Sequence, residues 1–103
     1  MTVARIAEKD LLNADEMALF TLSQDAAALQ QHSPTELRDK IARARNLRDR
    51  ARDVYRRQIG RTRATTGIKR GFTDIANERS RQKAEVLQTI VEKLTHAREQ
   101  QLA

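Results

Sequence analysis

Cysteine is absent from this 103-residue chain, which excludes disulfides and thiolate metal sites. Tryptophan is absent too, and one Tyr and two Phe leave aromatic packing unable to carry a core. No apolar run approaches the ~18 residues that a membrane span needs. Met1 to Asp10 has charge but no apolar stretch of the secretory-signal kind. A cytoplasmic protein is the expectation from these absences. Leu, Ile, Val and Phe are scarce as well, at 22 residues. That is about 21% of the chain, just above the composition at which disorder becomes the rule. A single domain of this length with so thin a core is marginal alone. Oligomerisation through apolar helix faces is the natural remedy, so a homodimer or larger assembly is expected.

Three Gly and one Pro leave few interruptions, and Ala, Arg, Gln, Glu and Leu are plentiful. The composition and the apolar periodicity predict an all-α fold. The expected form is an antiparallel hairpin of two long helices with a short N-terminal helical segment, as a dimeric bundle or coiled-coil-like pair. Residues 1–32 form the acidic N-terminal segment. There Asn13 and Glu16 have the spacing of a capping box opening a helix over 14–20. Ser23 is read as the cap of a second helix over 24–31. Ser33-Pro34-Thr35-Glu36 is the clearest local signal. Ser33 suits the N-cap, Pro34 the first helical position and Glu36 the reciprocal capping partner. The helix it opens is expected over 34–59, ended by Gly60. Residues 60–72, with three Gly and three Thr, read as a basic loop, with the alternative that the first long helix frays into it as far as Thr65. The last helix is expected over 74–100, capped by Thr73 or Asp74.

Charge is distributed unevenly. Residues 1–35 carry two basic and five acidic groups, residues 36–72 thirteen and four, and residues 73–103 five of each. The net +6 of the chain is therefore the sum of a −3, a +9 and a neutral segment. Such asymmetry favours a defined binding surface over a diffuse basic character. From Arg38 to Arg57, nine of twenty residues are Lys or Arg and three are acidic. At about 100° per residue, Arg38, Arg45, Arg48, Arg52 and Arg56 fall within about 80° of one another, along roughly 27 Å of helix. Arg43, Arg50 and Arg57 fall in a sector shared with Glu36 and Asp39, which partly compensates them. Asp39–Arg43 and Asp53–Arg57 stand at i,i+4, the spacing of helical ion pairs.

Arginine stripes that neutralise phosphates supply most non-specific affinity for nucleic acid. The candidate contact residues are Arg38, Arg45, Arg48, Arg52 and Arg56, continued by Arg61, Arg63, Lys69 and Arg70 of the loop. The expected function is a non-enzymatic binding protein that meets DNA, RNA or another polyanion mainly through phosphates. Two plainer accounts compete. The arginines can be a solvated flank whose stems shield the apolar stripe. Alternatively, the acids of the N-terminal segment can lie against the basic helix and neutralise it. Arg48 is the most pointed position, since it projects close to the apolar stripe and must snorkel, find a carboxylate or reach a partner.

A second functional class is a helical interaction or assembly module. Its oligomer interface would use Leu37, Ile41, Leu47 and Val54 on the first long helix and Leu87, Ile90, Val91 and Leu94 on the second. Its arginines would supply solubility or bind an acidic protein. A membrane surface is not the expected partner, because membrane-lying helices bring bulky anchors and this one has only Tyr55. Tyr55 is expected in the core with its hydroxyl at the rim.

Catalytic and metal signals are weak. Ser80-Arg-Gln-Lys83 has the Ser-x-x-Lys spacing of some acyl-transfer enzymes but lacks their companion motifs. Gly67 to Gly71 lacks the ending of a phosphate-binding P-loop. Glu92 and His96 stand at i,i+4, yet two ligands do not make a metal site. No catalytic residue, metal or cofactor is expected.

Overall fold

The computed structural model describes the backbone of residues 5–64 and 70–103, and the side chains of residues 5–61 and 77–103. The chain is all-α, with α1 Glu8–Leu11, α2 Ala14–Gln24, α3 Ala26–Gln31, α4 Pro34–Ala64 and α5 Arg70–Leu102. α4 and α5 are the two arms of an antiparallel hairpin. Contacts between them run in opposite sense along the two helices: Arg98 Nε donates to the Pro34 carbonyl at 3.0 Å, Arg48 Nη1 to Gln88 Oε1 at 2.9 Å, and Ser80 Oγ to Gln58 Oε1 at 2.6 Å. The molecule measures 53 × 21 × 21 Å, the proportions of a rod.

Local chemistry sets the helix starts. Asn13 Oδ1 accepts from the Glu16 amide at 2.9 Å, and Glu16 Oε1 accepts from the Asn13 amide at 2.9 Å. Ser33 and Glu36 close the same reciprocal box at 3.1 and 3.0 Å around Pro34, the first residue of α4. Both boxes satisfy amides that a helix start leaves without partners.

Ser23 behaves otherwise than the sequence suggests. It lies inside α2, buried, and its hydroxyl donates to the Phe20 carbonyl at 2.7 Å. The cap of α3 is Asp25, whose carboxylate accepts from the Ala28 amide at 3.1 Å. A carboxylate in extended backbone wins over a hydroxyl that can return its proton to its own helix.

Two further boundaries differ from expectation. α4 continues through Gly60 to Ala64, and α5 begins at Arg70, so residues 60–64 and 70–72 of the expected loop are helical, and residues 65–69 lie outside the described residues. Thr73 and Asp74 accordingly fall inside α5 rather than at its cap. Glycine inside a helix costs only about 1 kcal/mol relative to alanine. That is less than the cost of abandoning a helix whose other residues favour it. Gly60 is exposed, and a Cβ added there would meet nothing within 4 Å.

The core is a seam between the long helices, closed on one side by the N-terminal segment. Leu37, Leu87, Ile90 and Leu94 are fully buried, and Ile41, Ala44, Ala51 and Val91 join them. Leu11, Leu12 and Leu19 complete the seam from the N-terminal side. Fully burying one such side chain is worth roughly 1.5–3 kcal/mol. Polar ties hold the N-terminal segment down. The Ile6 amide donates to Gln82 Oε1 at 2.7 Å, Arg79 donates to the Asp10 carbonyl, and Gln101 Nε2 donates to the Leu29 carbonyl at 2.9 Å. Glu16, almost fully buried, also pairs with Lys83 of α5 at 3.1 Å. Among the described residues no helix is long and apolar enough to cross a membrane.

Candidate anion-binding surface

α4 buries Leu37, Ile41, Ala44 and Ala51 against α5 and turns its arginines to either side of that seam. The N-terminal segment lies on one side only. Asp15 of α2 pairs with Arg43 at 2.8 Å, and Leu11, Asn13 and Glu16 share a cleft with Leu47, Arg50, Ala51 and Val54. At about 100° per residue, Arg43, Arg50 and Leu47 lie well round the helix from Arg38, Arg45, Arg52 and Arg56. The acids of the N-terminal segment therefore leave the five-arginine edge uncovered.

That edge is nevertheless not free. Arg38 pairs with Asp39 at 3.4 Å and Arg56 with Asp53 at 3.5 Å, both in the open. Arg48 is drawn inward, its side chain only 17% exposed, and holds Asp49 at 3.0 Å as well as Gln88. Arg52 donates to the same Gln88 oxygen at 3.2 Å. Gln88 in turn donates to Glu92 at 3.0 Å. Two guanidinium groups thus share one neutral acceptor whose amide nitrogen leans on a carboxylate. Arg45 alone on this edge has no ion pair or hydrogen bond among the described residues.

The opposite edge reverses the expected compensation. Glu36, assigned to it by angle, is engaged with Ser33. Its carboxyl is held below the usual carboxylate range, first by the Ser33 backbone amide and then by the Ser33 hydroxyl. Asp39 turns to Arg38 and Asp53 to Arg56, so the i,i+4 pairs Asp39–Arg43 and Asp53–Arg57 are replaced. Those spacings permit a pair, but exposed ion pairs are weak, and nearer cations captured both acids. Arg50 and Arg57 are exposed with no ion pair or hydrogen bond among the described residues.

α5 bounds the five-arginine edge with acids. Glu85 lines a shallow groove with Arg52, Tyr55 and Gln88, and Glu92 lies one turn beyond Gln88. Arg81 in that groove is engaged by Glu78 and Glu85. Hydrogen bonding to Arg81 holds the Glu78 carboxyl low, and the same contact raises the guanidinium. An anion must therefore approach α4 from its outer face rather than from the groove. Tyr55 is half-buried, as a core residue with its tip at the rim would be.

Arg61 is exposed near the end of α4, the side chains of Arg63 and Arg70 lie outside the described set, and Lys69 lies outside the described residues. The residues named for an oligomer interface fall elsewhere. Leu37, Ile41, Leu87, Ile90, Val91 and Leu94 are buried within one chain, and Leu47 packs partly buried against them. Of the eight, only Val54 is exposed, at 44%. These faces form the seam of the chain's own hairpin.

Ser80 and Lys83 are both committed, the hydroxyl to Gln58 and the ammonium to Glu16. His32 Nδ1 bonds the Ala28 carbonyl at 2.7 Å at the end of α3. Among the described residues no group of three or more His, Cys, Asp or Glu is placed to hold a metal ion. Sequence reasoning did not anticipate the cleft beside Arg50, because it is built from three separate segments. The one signal was Val54, an apolar residue at the margin of the α4 seam.

Fold and surface together define a small helical-hairpin protein whose longest basic helix is exposed along its outer face. No known family, curated protein or solved structure matches the chain.

Proposed function

We propose that the protein binds nucleic acid through the exposed arginines of α4, mainly by contacts to phosphates. Arg45, Arg38 and Arg56 provide the contacts on one edge, and Arg57 extends them around the outer face. One observation carries the reading: the acidic N-terminal segment packs on the far flank and sends Asp15 to Arg43, away from the Arg38–Arg56 edge. The Arg38–Asp39 and Arg56–Asp53 pairs oppose binding only weakly. Exposed pairs of this kind are worth ~0–1 kcal/mol, and a phosphate accepting a forked hydrogen bond displaces them.

Arg48 and Arg52 take a different role from the one expected of them. Their bonds to Gln88 tie α4 to α5, so they stiffen the surface rather than meet the ligand first. The assembly reading is the weaker one, since six of its eight interface residues lie inside the chain's own core.

The test is the affinity for duplex DNA and for RNA between 50 and 200 mM salt, comparing wild type with the triple variant Arg38→Ala/Arg45→Ala/Arg56→Ala. Each phosphate contact contributes roughly 0.7–0.9 to the slope of log K against log salt, so the triple variant should lower that slope by about 2–3. Failure of the wild type to bind either polymer at low salt would remove the reading.

A further inference from the structure

We propose that the cleft between the N-terminal segment and the hairpin binds a small amphipathic anion, an apolar body carrying one carboxylate. The inference is independent of nucleic-acid binding and uses a different part of the surface. The cleft has a volume of about 420 Å³. Ligand sites run to roughly 300–1,000 Å³, with apolar walls and a few polar groups that fix orientation.

The walls fit that description. Leu47 and Val54 supply apolar surface above the buried Leu11 and Ala51, and Val54 and Leu102 are the large hydrophobic residues left exposed among the described ones. An exposed valine inside a concavity is ready-made contact area for an apolar group.

The charged groups at the rim do not cancel. Lys83 and Glu16 neutralise one another at 3.1 Å. Arg79 donates to the Asp10 carbonyl, which satisfies a hydrogen-bond donor without removing its charge. Arg50 has neither an ion pair nor a hydrogen bond among the described residues. Two guanidinium charges therefore stand beside an apolar wall with no carboxylate in ion-pair contact among the described residues. A neutral apolar ligand would leave both charges without an anion, and a small hydrophilic anion would leave Val54 in water. A ligand with both parts satisfies both, its carboxylate at Arg50 and Arg79 and its chain along Leu47, Ala51 and Val54.

The test uses octanoate as probe, with octanol and acetate as its two halves, each followed by displacement of the fluorescent sulfonate 1-anilinonaphthalene-8-sulfonate from the full chain. Octanoate should displace the dye at concentrations at least about tenfold below either half. Arg50→Gln should weaken octanoate severalfold while leaving octanol unchanged, Arg79 keeping part of the difference, and Val54→Asp should weaken octanoate about tenfold. Circular dichroism should show both variants folded, since both positions are exposed. Arg38→Ala/Arg45→Ala/Arg56→Ala should leave octanoate binding unchanged, which separates this cleft from the nucleic-acid surface. Equal potency of octanoate and octanol on the wild type would overturn the proposal. So would an Arg50→Gln variant, shown to be folded, that binds octanoate like the wild type.

Discussion

Along one edge of α4 four of five arginines hold a partner, and along the other only Arg43 of three does, through Asp15, while Arg50 and Arg57 hold none. The sequence suggests the reverse, because Glu36 and Asp39 share the second sector by angle. A carboxylate's sector does not decide its partner. Glu36 is held by the cap it forms, and the aspartates turn to neighbours one or three residues away. Tertiary packing then adds an acceptor, Gln88, that no count of acids along α4 would include.

Substitutions can break this contrast. The largest effect is expected from Arg48→Ala set against Arg45→Ala. Arg48 is largely buried and bonds across the hairpin, so its loss should cost about 1–2 kcal/mol in urea unfolding. Arg45 has no partner to lose, and its replacement should stay within about 0.5 kcal/mol of wild type. Equal costs would show that the two sites do not differ as described.

A second substitution tests why Glu36 does not serve the other edge. Ser33→Ala removes the hydroxyl from the capping box and should cost about 1 kcal/mol. The charge itself is probed by pH. The folded-state pKa of Glu36 is depressed, so its contribution is present above the unfolded value, near ~4.3, and is lost as pH falls through the folded value. Glu36→Gln should therefore be less stable than wild type at pH 7, and the gap should close as pH drops through the folded-state value. A gap independent of pH would place the carboxylate outside the cap.

The smallest effect concerns how far the arginine surface extends. If α4 runs through Gly60 to carry Arg61, then Gly60→Ala should stabilise the protein by about 0.5–1 kcal/mol. Destabilisation would mean that Gly60 ends the helix, as its residue type alone suggests.

What was legible in the sequence was what depends on neighbours a few residues apart. Both capping boxes, the all-α class and the hairpin follow from spacing, and the structure shows each of them. Ser23, Gly60 and the i,i+4 pairs misled because each has an alternative that local sequence does not rank. The Leu and Ile at 37, 41, 87, 90 and 94 close one seam within the chain. The cleft beside Arg50 depends on how residues 11–16 dock against two distant helices, which spacing does not encode.

In the proposed function the exposed arginines of α4, rather than those tied to α5, meet a nucleic-acid backbone. The decisive measurement is salt-dependent binding of duplex DNA and of RNA by wild type, by Arg38→Ala/Arg45→Ala/Arg56→Ala and by Gln88→Ala. The slope should fall by about 2–3 in the triple variant and stay unchanged in Gln88→Ala. Wild-type affinity and slope in the triple variant would refute the proposed role of these arginines.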